Sequence, residues 1–134
     1  MNRSFETGTL LLRVMTGIIF FVHGLSKFQE MDGTIQFFGS LGLPSFMAYV
    51  IATIELAGGV LVVFGLATRI VGVLFALTLI GAIITVKLKA PFIGNAEFDY
   101  LLLLTSIHLA LSGSRFLALD SLVFKEKKSG NVSV

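Results

Sequence analysis

The sequence predicts an all-α membrane protein: four transmembrane helices in a bundle, with both termini cytoplasmic. Three observations predict it. The 134-residue chain is 55% hydrophobic and 13% charged, with a mean hydropathy of +0.94, whereas soluble domains carry about 25% charged residues. Four stretches approach the roughly 20 mostly apolar residues that a bilayer core demands. The basic residues gather at one set of segment ends.

The first span is expected over residues 9–28. Arg3 precedes an apolar run, as in a secretory signal, but no small-residue cleavage site follows and the segment continues into His23 and Lys27, so it reads as a retained helix. The next stretch, "TIQFFGSLGLP", is apolar enough to lie in the membrane interface. Pro44 then opens a second span over 46–67, since proline suits a first helical turn. "GLATR", Gly65 to Arg69, makes a tight helix–helix turn, with glycine where the second helix ends. A third span follows over 70–86. After the polar connection "KAPFIGNAEFDY", a fourth covers 100–119, with Gly113 inside it.

Four spans put both termini on one side. That side holds Arg3, Arg13, Arg69, Arg115, Lys125, Lys127 and Lys128, and the other only Lys27, Lys87 and Lys89. The positive-inside rule therefore places the termini in the cytoplasm. The whole of 1–134 reads as one integral membrane domain ending in a basic cytoplasmic tail, 120–134. Composition also excludes function classes. Basic residues scattered over segment ends form no nucleic-acid surface. With no cysteine there is no disulfide, thiolate nucleophile or Cys-ligated cluster. Neither a G-x-G-x-x-G turn, a P-loop nor H-E-x-x-H is present.

Ionisable groups inside the spans are the informative feature, because each costs free energy in a bilayer and faces the bundle interior or water. At 100° per residue, Arg13, Gly17, Phe20, Gly24 and Lys27 share one stripe of the first helix, with Thr16 and His23 at its edge. Glycines seven apart on that stripe allow another helix to approach closely, and Gly58 and Gly65 repeat the interval in the second span. Glu55 lies near the bilayer midplane, where a charge costs about 2.5–3.5 kcal/mol on insertion scales. Its first candidate partner is Arg13, with His23 and Lys27 as alternatives. In the fourth helix Glu97, Leu101, Leu104, His108 and Arg115 share a stripe, edged by Ser112. Two polar stripes and a midplane carboxylate imply a polar cleft open toward the outer face. Snorkelling and topology account equally well for Arg13 and Lys27, Arg69 and Arg115 read as topology anchors, and His108 reads as a hydrogen-bonded core histidine. His23 and His108 stand at different depths, which argues against a shared haem.

"LLRVMTGIIFFVHGLSKF", "GLP", "IELAGGVLVVFGLATR" and "EFDYLLLL" resemble the DoxX family of small four-helix membrane proteins, and in detail its CatD-like branch. The resemblance runs from Leu10 to about Leu117. It marks Arg13, His23, Gly24, Lys27, Glu55, Gly58, Gly65, Arg69 and Glu97 as family-type positions. It implies a membrane oxidoreductase or redox-complex subunit, quinone-linked, in tolerance of catechol, quinone or oxidative stress, beside an aromatic-ring dioxygenase pathway. On that reading Glu55 and His23 form a catalytic proton relay, and Arg13, His23, Lys27 and Glu97 line a quinone-binding cleft, with no metal. The expected partners are the lipid bilayer, a soluble or membrane redox protein and a second copy of the chain, and no nucleic acid. The alternatives are a non-enzymatic scaffold that holds a soluble detoxifying enzyme at the membrane, and a proton-coupled transporter of a small solute.

Overall fold

A computed structural model describes residues 3–86 and 96–113. The described residues form five helices and no strand: α1 (Arg3–Gln29), α2 (Met31–Ser40), α3 (Ser45–Phe64), α4 (Thr68–Thr85) and α5 (Glu97–Ser112). The expected tail, 120–134, lies outside the described residues, as do Lys87, Lys89 and Arg115.

Three helices, α1, α3 and α4, are long and apolar enough to cross a membrane. They begin and end within a few residues of the expected spans, except that α1 starts six residues earlier, at Arg3. The interfacial stretch is a helix, α2, that buries Phe38 and exposes Phe37. Gly65 ends α3 in the left-handed conformation, at φ 74°, which glycine adopts without a Cβ penalty. Its N–H and that of Leu66 close back on Val62 and Leu61.

The expected fourth span differs in one respect: Gly113, placed inside it, does not continue the helix. The helix α5 stops at Ser112, because Gly113 turns to φ 66°, ψ −158° instead of continuing the helix. At 16 residues, α5 is about 24 Å long, short of the roughly 30 Å hydrocarbon core. Residues 114–119 of that span lie outside the described ones.

Packing follows from small residues. A Cβ on Gly17 would meet Gly59 O at 2.8 Å, and one on Gly24 would run into the backbone of Leu56 and Ala52. Backbones this close gain van der Waals contact that lipid cannot supply. Gly17 and Gly24 are thus the contact face of α1, as their spacing predicts. On α3 the partner glycine is Gly59, seven residues from Ala52. Gly58 instead faces α4, where a Cβ would meet Phe75, and Gly65 serves as the cap. Gly72 brings α4 against Ser106 and Ala110 of α5. Between these contacts sits a core of Phe20, Val62, Val71, Phe75, Leu79, Leu102 and Leu109, with the Phe20 and Phe75 rings stacked 3.7 Å apart.

Candidate functional site

The inward stripe of α1 is the one its polar groups predicted. Thr9, Arg13, Thr16, Gly17, Phe20 and Gly24 are all buried. Because α1 and α3 run antiparallel, the glycine contacts fix their register: Gly24 lies beside Ala52 and Leu56, and Gly17 beside Gly59 and Val63. Glu55 is therefore level with residues near Gly24, and Lys27 stands about one turn further along α1.

That register corrects the pairing of Glu55. Lys27 Nζ donates to Glu55 Oε2 at 2.7 Å. Arg13, 2% exposed, belongs one turn beyond Gly17, toward the C-terminal end of α3. It lies about 12–15 Å along the helix axis from the level of Glu55. Near that helix end a cation is favourably placed. The ion pair is asymmetric: the Glu55 side chain is 8% exposed and that of Lys27 25%. The carboxylate is held inside the bundle, and the ammonium reaches it from the rim.

The pair borders a cavity of about 470 Å³, which His23, Lys27, Glu55 and Asp99 also line. Phe20 and Leu79 from the core close it on the side of the stacked rings. Phe37 and Phe38 of α2 bring the interfacial helix onto its wall. The Phe98 ring at the start of α5 lies 6.3 Å from that of His23, which ties this end of α1 to α5. Of the sequence-predicted site residues, His23, Lys27 and Glu55 come together here. Arg13 belongs to the opposite end, and Glu97 is exposed.

Glu97 does not line the cavity, because its stripe of α5 turns Leu101 and Leu104 outward. Leu101 is 63% and Leu104 66% exposed, while Leu102, Ser106 and Leu109 are buried. The inward stripe runs Asp99, Leu102, Ser106, Leu109, Gly113, and it puts Asp99 on the cavity. A signal was available: spacings of three and four residues with small Ser106 and Gly113 on one line mark a helix-packing face.

His108 is half-buried and meets α1 near its start. Its Nε2 lies 3.0 Å from Thr9 Oγ1, and its ring stands edge-on to Phe5. Thr9 and His23 are fourteen residues apart on α1, or about 21 Å, so one haem iron cannot take both histidines.

Residues 8–88 match the family model DoxX. The chain is 89% identical over 133 residues to "Putative oxidoreductase CatD" of Bacillus subtilis (strain 168), covering 99% of each chain. It is 31% identical over 128 residues to "Uncharacterized membrane protein Rv3486" of Mycobacterium tuberculosis (strain ATCC 25618 / H37Rv), covering 83% of this chain and 78% of that one. A shorter match, 32% over 69 residues and about half of each chain, is to "Inner membrane protein YqjF" of Escherichia coli (strain K12). No solved structure matches. With apolar helices of spanning length and membrane proteins among its relatives, this is a multi-pass membrane protein, and the chain belongs to the DoxX family.

Proposed function

We propose that the protein is the quinone-binding part of a membrane redox system, an oxidoreductase or a subunit of one, acting in tolerance of catechol, quinone or oxidative stress. One observation carries the reading: a buried carboxylate and a lysine ammonium, 2.7 Å apart, lie with His23 and Asp99 on the wall of a largely apolar cavity in a membrane bundle. The relative named as an oxidoreductase supports the reaction class.

The residues fit a quinone. A volume of about 470 Å³ falls within the roughly 300–1,000 Å³ of small-molecule sites. Apolar walls suit the ring, and donors at one end suit a carbonyl oxygen. A bound quinone supplies two-electron, two-proton chemistry. The chain itself supplies donors and proton carriers. Lys27 Nζ holds a proton within hydrogen-bond reach of Glu55 Oε2, and His23, exposed at the rim, offers ring nitrogens that can donate or accept a proton. Electrons come from a partner redox protein. In this reading 100–119 is a fourth span, both termini face the cytoplasm, and the cavity lies in the outer half of the membrane.

The test is extraction of gently purified protein in lipid discs, with quinone measured by mass spectrometry and visible spectra taken before and after reduction. Stoichiometric quinone, lowered in Glu55→Gln and His23→Ala, is expected. Colourless protein without quinone, still able to hold a soluble enzyme at the membrane, would replace this reading with the scaffold.

A further inference from the structure

We infer that the cavity takes its ligand sideways from the lipid, over Gly81 of α4, and so selects a polar ring that carries an apolar chain; this rests on the quinone reading above. The lining is divided by chemistry. Its ionisable groups, His23, Lys27, Glu55 and Asp99, come from α1, α3 and α5. The α2 and α4 walls contribute no charge: α2 supplies Phe37 and Phe38, and α4 supplies Leu77, Gly81 and their neighbours. Two hydroxyls on the α4 wall do not alter this. Thr78 donates to Leu74 O at 2.9 Å and Thr85 to Gly81 O at 2.8 Å, so both protons are used inside the helix. The cavity is amphipathic, and its occupant should be too.

The mouth is marked by residues that line the cavity and also face outward. Phe37 is 50% and Leu77 60% exposed, and Gly81 and Thr85 are exposed as well. Leu77, Gly81 and Thr85 recur every four residues, so they form one stripe of α4. On a helix long and apolar enough to span the membrane, an outward stripe meets lipid. Gly81 stands in the middle of that stripe. It is helical and serves no cap, and a Cβ there would meet nothing within 4 Å, unlike Gly72 on the packed side of the same helix. A glycine inside a helix costs about 1 kcal/mol relative to alanine. Here it leaves a notch one side chain wide between Leu77 and Thr85, through which a chain can lie while the ring reaches Lys27 and Glu55.

The experiment uses full-length protein in lipid discs and two probes with the same naphthoquinone ring: a menaquinone with an isoprenoid chain, and menadione without one. Binding is read as quinone retained above that of empty discs. The chain has no cysteine, so menadione is not trapped as a thiol adduct. Wild type binds both. In Gly81→Phe, affinity for the chain-bearing quinone falls about tenfold or more, the scale of filling a space with one ring, while menadione, entering past His23, is unaffected. Thr85→Phe, one turn along the same rim, behaves alike and decides the matter if Gly81→Phe does not fold. Equal retention of the chain-bearing quinone in both variants, or equal loss of both probes, overturns the portal. Wild type binding neither probe removes the quinone reading and the portal with it.

Discussion

The two ends of this bundle are built from the same helices and behave differently. At the end holding Thr9, Arg13 and His108, backbones touch: Gly17 meets Gly59, and Gly72 meets Ser106 and Ala110. Polar groups there sit within packed helix, as with Thr9 against His108 and the fully buried Ser106, which bonds back to Leu102 O. At the end holding His23, Lys27 and Glu55, α1 and α3 still touch at Gly24, but a cavity opens between this pair and the helices α4 and α5, and α2 completes the wall. The stacked Phe20 and Phe75 rings belong to the core between them, and Phe20 also lines the cavity. The difference teaches that burying a polar group does not make a site. A site needs polar groups beside unfilled volume, and the end holding His23, Lys27 and Glu55 has both.

The largest expected effect comes from breaking the contact that anchors the open end. In Gly24→Val the new side chain collides with the backbone of Leu56 and Ala52. Stability should fall by about 3 kcal/mol or more, the upper range for overpacking, with loss of a monodisperse species in size-exclusion chromatography. Next, Lys27→Met leaves the Glu55 carboxylate buried and unbalanced. Removing one partner of a buried pair costs about 3–5 kcal/mol, and the quarter exposure of Lys27 lowers the expectation to about 2–3 kcal/mol. The double change Lys27→Met with Glu55→Met should regain most of it in thermal unfolding, whereas an additive loss would show that the ion pair does not stabilise the fold.

A smaller effect is expected at the closed end. Thr9→Val removes the hydroxyl 3.0 Å from His108, and interhelical hydrogen bonds in membranes average about 0.6 kcal/mol. A shift of that size, with quinone binding unchanged, would keep the two ends independent. Loss of binding would couple them. The smallest change is Gly81→Ala, which fills open space on a helix. It should be neutral or stabilise by up to about 1 kcal/mol, and a loss comparable to Gly24→Val would contradict the contrast between the two glycines.

Much was legible in the chain itself. Apolar run lengths gave α1, α3 and α4, because a bilayer fixes how many residues a span requires. The inward face of α1 followed from period alone, since helix geometry carries Arg13, Gly17, Phe20 and Gly24 onto one line. Gly65 marked the end of α3, because its left-handed backbone is a local property of glycine. The gathering of His23, Lys27 and Glu55 was half visible, as three ionisable groups in apolar surroundings.

Register between helices was not visible. Whether Glu55 meets Arg13 or Lys27 depends on a sliding of α1 along α3 that single-helix periodicity leaves free, and the fit of Gly24 against Ala52 and Leu56 settles it. The facing of α5 was also open, for Glu97 and Asp99 differ by two residues and so point to nearly opposite sides of a helix. Contact of α5 with α4 at Gly72 turned Ser106 inward and with it Asp99, leaving Glu97 exposed. Sequence by itself thus determined which of the described helices are long and apolar enough to cross a membrane and which residues carry charge in them, because both are set by local composition. Only tertiary structure decided which charges meet and where space remains, because those depend on how one helix surface seats against another.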